Sequence, residues 1–182
     1  NGQIIKNPNR EFLYLDDLPD LPLALINIKK FLPIFKGRRT FYIETSRGCF
    51  NQCRFCFNTA YNKNTWRAFS AQRVIRELRY LFKQFNIGSF YIVDDNFFVD
   101  LKRAKAIAQG IIDEKLDIFW EVQGITINSA LRMDEDYLKL LVNSGMKKVH
   151  FGVESASEKI LKMVNKNLKV SDVIKINRRW SQ

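Results

Sequence analysis

The sequence has few of the residues that cross-link small proteins or bind zinc: its 182 residues include three cysteines and one histidine. The small, odd cysteine count argues against a framework of disulfides. A structural zinc site needs four ligands, and His150 is the only histidine that the cysteines could recruit. No apolar run approaches the roughly 18 residues of a membrane span, and no signal-peptide pattern opens the chain. These absences favour a cytoplasmic protein.

Acidic residues are scarce relative to basic ones, 19 against 30, which gives a formal net charge of +11. Such a surplus can attract nucleic acid, an anionic membrane or an acidic partner protein. The basic residues are spread over nearly every segment, and no RNA-binding motif with interleaved aromatic residues is present. A generally basic surface is therefore favoured over nucleic-acid binding. The 46% hydrophobic content argues against disorder and predicts one domain with a core.

All three cysteines lie in one loop, as Cys49, Cys53 and Cys56, after a β-rich run at residues 41–44. Three thiolates within eight residues can converge on one metal centre without distant parts of the fold having to meet. Iron–sulfur clusters usually take four cysteines, so a cluster held here would leave one iron free for a ligand. Zinc binding and buried inert thiols are the alternatives. The polar neighbours of the cysteines favour the cluster.

The Cys-x3-Cys-x2-Cys spacing, with Phe55 before the third cysteine and Thr-Ser-Arg-Gly before the first, resembles the radical S-adenosylmethionine (SAM) enzymes. The resemblance implies a [4Fe-4S] cluster on Cys49, Cys53 and Cys56, with SAM chelating the open iron. Phe55 matches the position near the adenine. Reductive cleavage of SAM would then give a 5′-deoxyadenosyl radical, while the protein supplies placement and exclusion of water.

Residues 1–38 differ from the rest and are predicted to form a linker or N-terminal extension. Residues 2–10 read as a short strand and a turn, and residues 16–22, with two prolines and three acids, as extended or turning chain. The segment resembles the linker that follows a cobalamin-binding domain in one branch of the family. Cobalamin is thus implied only through a domain that is not in this sequence. The first residue is Asn, which suggests a fragment.

Residues 39–182 alternate strands and helices, which predicts a parallel sheet with right-handed crossovers. Helices with apolar faces are expected at residues 70–85, 101–113 and 135–144, capped by Ser70, Asp100 and Asp134. Four strand–helix units fit half of a (β/α)8-like barrel. The resemblance implies a partial barrel of about six units, with the C-terminal strands missing here. An open doubly wound sheet is the alternative topology.

Polar residues follow each predicted strand, at the edge where functional residues of parallel α/β folds collect. Asp94 and Asp95 resemble an Asp-Asp pair in the cobalamin branch and are predicted to reach the SAM site, although a capped turn would use the same residues. The Gly-Gly-Glu contact usual in the family is not present. Arg132 resembles an arginine ahead of the third helix and would meet a carboxylate or phosphate, or only solvent.

The fourth strand alternates apolar and polar positions. Val149, Phe151 and Val153 should pack on helices, so the other face should point into the barrel. On that face, Gly152 would leave space for a ligand. Glu154 could accept hydrogen bonds from the amino group or ribose of SAM, or form an interior ion pair with an arginine. His150 is treated as a core histidine, and no catalytic residue is assigned.

The leading hypothesis is a radical SAM enzyme of the cobalamin-associated branch that methylates, cyclises or rearranges an unknown substrate. A methylthiotransferase acting on tRNA or a ribosomal protein is the second hypothesis, which the basic charge slightly favours. A non-catalytic module stabilised by zinc or a cluster is the third. An electron donor such as flavodoxin or ferredoxin is the expected partner. Substrate contacts are expected to come from parts of the protein outside this sequence.

Overall fold

The computed structural model describes residues 2, 4–5 and 7–181. A five-stranded sheet forms its centre, with the order β1-β2-β5-β6-β7, and a separate two-stranded ribbon is formed by β3 and β4. The strands are β1 (Ile34–Phe35), β2 (Arg38–Ile43), β3 (Ser46–Gly48), β4 (Trp66–Ala68), β5 (Ser89–Ile92), β6 (Phe119–Ile125) and β7 (Met146–Phe151). The helices are α1 (Asn58–Tyr61), α2 (Ala71–Phe85), α3 (Leu101–Asp113), α4 (Ile127–Leu131), α5 (Glu135–Asn143), α6 (Glu158–Met163) and α7 (Val170–Trp180).

The four long strands of the sheet are parallel, and helices α2, α3 and α5 provide the crossovers between them. At one edge of this sheet, β1 pairs antiparallel with β2 as a short hairpin. The sheet curls into a half-barrel, which confirms the predicted partial barrel. Because all parallel strands end at the same edge, the loops that follow β2, β5, β6 and β7 lie together.

The helix boundaries follow the local signals in the sequence. The side chains of Ser70, Asp100 and Asp134 each accept hydrogen bonds from backbone N–H groups in the first turn of their helices. These contacts confirm the three predicted N-caps, since each satisfies donors that the helix leaves unpaired. The apolar faces are buried in one core with the sheet, led by Leu78, Ile107, Trp120 and Leu141.

The segment before β1 differs from its sequence-based prediction. No strand forms at the described residues between 2 and 10, and residues 3 and 6 lie outside the described part. Short 3₁₀ turns occur at Leu15–Asp17, Leu23–Leu25 and Ile28–Lys30. Leu15 and Ile28 are buried in the same core as the helices. The separation of residues 1–38 from the domain that begins at residue 39 stays a proposal.

Arg73 of α2 holds this N-terminal segment in place. Its guanidinium is almost fully buried and donates to the backbone carbonyls of Asp16 and Leu18, at 2.8 and 2.6 Å. Arg76, one turn further along the same helix, is largely exposed and pairs with the Asp20 carboxylate at 3.2 Å. Buried charged donors contribute far more to stability than exposed ion pairs.

We therefore predict different effects for two matched substitutions on α2. Arg73→Met should lower the free energy of unfolding by about 2–4 kcal/mol, because carbonyl groups of the N-terminal segment lose their donor. Arg76→Met should change it by less than about 0.5 kcal/mol. Urea denaturation measures both, and hydrogen exchange should show faster opening of residues 15–20 in Arg73→Met alone. Equal losses in the two variants would contradict this role of Arg73.

Candidate functional site

The start of the cysteine loop is fixed by the buried side chain of Asp94, just beyond β5. Its carboxylate accepts hydrogen bonds from the Thr45 N–H at 2.6 Å, the Thr45 hydroxyl at 2.7 Å and the Ser46 hydroxyl at 2.6 Å. Burial raises the pKa of the Asp94 carboxyl, while the hydrogen bonds from Ser46 and Thr45 oppose the rise. The turn between β2 and β3 is therefore tied to the neighbouring strand.

Arg103 of α3 binds the same turn from the other side. Its guanidinium donates to the carbonyl oxygens of Thr45 and Phe69, at 2.8 and 2.7 Å. Burial lowers the pKa of Arg103, and the nearby Asp94 carboxylate acts in the opposite direction. Thr45 thus lies between a buried anion and a buried cation, which fixes the direction in which the chain enters the loop.

Gly48 brings the chain to the first cysteine through a close backbone contact. Its N–H donates to the Asp95 carboxylate at 2.8 Å, and its φ of +90° lies in the region that favours glycine. A Cβ atom at this position would overlap the carbonyl oxygen of Thr65. The sequence therefore needs glycine here, where β3 pairs with Trp66 of β4.

All three cysteines line one cavity of about 270 Å³ at the strand ends. Cys49 and Cys53 are buried, Cys56 is half-buried, and none forms a disulfide. The Nδ2 of Asn96, just after the strand-end acids, donates to Cys49 Sγ at 3.7 Å. In the part of the chain that the structure describes, no three His, Cys, Asp or Glu side chains could hold a single metal ion.

Charged groups also reach this cavity. Lys166, in the loop between α6 and α7, lies with its Nζ 3.0 Å from Glu154 Oε1. Burial raises the pKa of the Cys53 thiol, the Lys166 ammonium opposes the rise, and Cys56 and Cys49 add to it. The cavity wall therefore combines three thiol groups with the Lys166 ammonium and the carboxylates of Glu154 and Asp95.

Most of the predicted site residues meet at this cavity. Phe55, Asp95, Gly152 and Glu154 line it together with the cysteines. His150 lines it as well, on the strand face that the alternation in β7 predicts. The ion pair considered for Glu154 exists, with Lys166 in place of an arginine.

Two predicted residues lie elsewhere. Asp94 is outside the cavity lining, because both its carboxylate oxygens are engaged by Thr45 and Ser46 behind the loop. Arg132 is exposed at the C-cap of the short helix α4, also away from the lining. Their predicted contacts with SAM stay predictions that no contact in this cavity supports.

Sequence reasoning missed other residues of the site. Lys166 and Thr126 line the cavity, although neither belongs to a motif that the sequence revealed, and Asn51 lines it from an unspecified position of the Cys-x3-Cys spacing. Asn96 could have been found, since it directly follows the strand-end acids. The β3–β4 ribbon that presents Cys49 has only three residues in each strand, too few to show alternation.

With this geometry in view, comparison with known proteins identifies the family. The model of the Radical SAM superfamily matches residues 43–182, and the chain belongs to this superfamily. The family and its methyltransferase and cyclase relatives point to an enzyme. None of the described helices is long and apolar enough to cross a membrane.

Individual relatives agree with this assignment. An uncharacterized methyltransferase of Pyrococcus horikoshii is 32% identical over 169 residues, which cover 92% of this chain and 36% of that protein. The cytidylyl-2-hydroxyethylphosphonate methyltransferase of Streptomyces wedmorensis is 31% identical, over 81% of this chain and 28% of its own length. The chain thus spans about a third of these curated relatives.

A solved structure shares the fold. The cobalamin-dependent SAM radical enzyme OxsB, with aqua-cobalamin and SAM bound, superposes with a TM-score of 0.73 at 24% identity. The match covers 94% of this chain and 25% of that one. At this identity the similarity shows the fold alone.

We predict that Gly48→Ala disrupts the loop that carries Cys49. The added methyl group meets the Thr65 carbonyl oxygen in a strained backbone conformation, so the free energy of unfolding should fall by about 2–5 kcal/mol. Less iron should also be retained after anaerobic reconstitution. Both are measured by chemical denaturation and by iron analysis of the desalted protein.

Gly37→Ala is the matched control. Gly37 also has a positive φ, of +78°, but a Cβ atom there would meet nothing within 4 Å. This variant should be destabilised only by the strain of a non-glycine residue at positive φ, about 1–2 kcal/mol, and should keep its iron. Equal iron loss in the two variants would show that the contact with Thr65 does not position the loop.

Proposed function

We propose that this chain provides the cluster- and SAM-binding core of a radical SAM enzyme, with Cys49, Cys53 and Cys56 as ligands of a [4Fe-4S] cluster. One observation carries the proposal: three free cysteines face the same cavity as polar residues from the ends of β5, β6 and β7. Residues 39–182 would form the domain, with residues 1–38 as its N-terminal extension.

The donor set fits such a cluster. Thiolates are the ligands that iron–sulfur clusters take, and three of them leave one iron for another ligand. Hydrogen bonds to the sulfur atoms tune such centres, and Asn96 already donates to Cys49 Sγ. When bound, the cluster would supply the electron that cleaves SAM reductively to a 5′-deoxyadenosyl radical.

The cavity residues would orient SAM beside the cysteines. Phe55 presents a ring for the adenine, and Gly152 leaves room on the wall formed by β7. Glu154 offers a carboxylate to the amino group or ribose hydroxyls, while Asp95 holds the Gly48 N–H and fixes the loop. The surrounding apolar strand ends would help to exclude water from the radical.

The reaction class follows the relatives. Named methyltransferases are 31–32% identical to this chain, and an anaerobic magnesium-protoporphyrin IX monomethyl ester cyclase of Rubrivivax gelatinosus is 27% identical. Methylation, cyclisation or a related rearrangement is therefore proposed. The cobalamin-dependent structural neighbours support cobalamin as a further cofactor, bound by a domain outside this sequence. A small redox protein such as flavodoxin or ferredoxin would deliver the electron.

A second candidate is methylthiotransfer. A putative methylthiotransferase of Methanocaldococcus jannaschii is 28% identical over 84% of this chain. The methyltransferases are more similar to this chain, so methyl transfer is ranked above methylthiotransfer. Product analysis separates the two, because only methylthiotransfer adds sulfur to its substrate.

The test is anaerobic reconstitution of the intact protein with iron and sulfide, followed by SAM and a reductant. The unmodified protein should hold about four irons and release 5′-deoxyadenosine. Cys49→Ala, Cys53→Ala and Cys56→Ala should each lose most of the iron and reduce 5′-deoxyadenosine to background. Iron analysis, the visible spectrum and chromatography of the products measure these outcomes.

Thr59→Ala is the control, because Thr59 is exposed on α1 a few residues beyond the last cysteine. It should behave as the unmodified protein does. A colourless protein after reconstitution, or stoichiometric zinc without SAM cleavage, would refute the proposed function. Iron binding that survives in all three cysteine variants would refute the assigned ligands.

A further inference from the structure

Lys166 has an unusual position for a lysine on a loop. Only 13% of its side chain is exposed, and its Nζ faces the cavity of the three cysteines. The Nζ pairs with Glu154 Oε1 at 3.0 Å and lies 5.8 Å from the centre of the Phe55 ring. Lysine is rarely buried to this degree unless its charge has a partner.

The loop that carries Lys166 is fastened to the cysteine loop by hydrogen bonds. Asn165 Nδ2 donates to the Gln52 carbonyl at 2.9 Å, and the Arg54 N–H donates to the Val164 carbonyl at 3.0 Å. The Arg54 guanidinium also donates to the Met163 carbonyl at 3.0 Å. Because these contacts flank Cys53, the ammonium keeps a fixed place relative to the cysteines.

The opposite wall leaves space for the ammonium. A Cβ atom on Gly152 would lie 3.0 Å from Lys166 Nζ, closer than ordinary van der Waals contact. Glu154, three residues beyond the end of β7, has a φ of +68°, in the left-handed region that non-glycine residues seldom adopt. Such strain is kept where surrounding contacts hold it, and here it accompanies a carboxylate that faces the ammonium.

We propose that the ammonium of Lys166 raises the reduction potential of the cluster proposed on Cys49, Cys53 and Cys56. Reduction adds one negative charge to a centre held by three thiolates. A fixed cation in a partly desolvated cavity stabilises that added charge, and net charge is one of the factors that set cluster potentials. Glu154 offsets part of this effect and holds the ammonium in place. The inference rests on the proposed function.

The experiment compares Lys166→Met with Lys162→Met in the reconstituted intact protein without SAM. Lys162 is the control because it lies four residues earlier, on α6, with an exposed side chain. Iron analysis first verifies the cluster in each variant. Redox titration followed by electron paramagnetic resonance then measures the midpoint potential.

Lys166→Met should shift the reduction equilibrium about tenfold toward the oxidised cluster, which is about 59 mV for one electron. The shift is expected because the variant loses a cation and leaves the Glu154 carboxylate unpaired at the cavity. Lys162→Met should leave the potential unchanged. Glu154→Gln should move the potential in the opposite direction, since it removes the offsetting anion.

Full iron content with an unchanged potential in Lys166→Met would overturn this inference and leave the proposed function standing. Equal shifts in Lys166→Met and Lys162→Met would also overturn it, by showing only a general effect of surface charge. If Lys166→Met fails to retain iron, the midpoint potential of Glu154→Gln tests the inference instead. A higher potential than that of the unmodified protein supports it, and a lower or unchanged potential overturns it. An unmodified protein without a cluster would refute both proposals.

Discussion

The site depends on one buried anion. The Asp94 carboxylate receives three hydrogen bonds from Thr45 and Ser46, and so joins the end of β5 to the chain that leaves β2. Without partners a carboxylate buried to this extent would be strongly destabilising, so the turn and the strand must form together. The cysteine loop starts within four residues of this contact. Its direction is therefore set by the sheet, since Asp94 lies directly beyond a central strand.

The cavity combines segments that are far apart in sequence. β5, β6 and β7 contribute their carboxyl ends, while the loop after α6 returns to contact the cysteine loop through Arg54 and Asn165. Parallel strands place the first set at one edge by geometry alone. The return of the α6–α7 loop closes the other side. The same topology thus brings together the thiols of one loop, the Glu154 carboxylate beyond β7 and the Lys166 ammonium of the loop between α6 and α7.

The sequence predicted those parts of the fold and site that local signals specify. Cysteine spacing marked the loop, apolar periodicity marked the helices, and Ser70, Asp100 and Asp134 marked where three of them begin. An acid at a strand end, however, serves equally as a ligand contact or as an anchor for a neighbouring turn. In this structure Asp94 anchors the turn, which only the tertiary hydrogen bonds reveal.

Long-range features left no such signal. Lys166 is one of many lysines in a basic chain, and the loop that carries it is joined by Asn165 to Gln52, 113 positions earlier in the sequence. The same holds for the β3–β4 ribbon, whose short strands pair because Gly48 allows the backbones to approach.

The hydrogen bonds around the cysteine loop hold it in place without the help of a bound metal. The Asp95 carboxylate accepts a hydrogen bond from the Gly48 N–H, just before Cys49. The carbonyl oxygens of Val164 and Gln52 accept hydrogen bonds that join the cysteine loop to the loop between α6 and α7. None of these bonds involves sulfur. In small zinc domains, by contrast, ligand binding itself supplies the folding free energy. Here a core of helices and sheet already positions the loop, so the free energy of binding the proposed cluster would go into ligation of the iron. Burial raises the pKa of the Cys53 thiol and so disfavours its deprotonation, and the fixed ammonium of Lys166 acts against that cost.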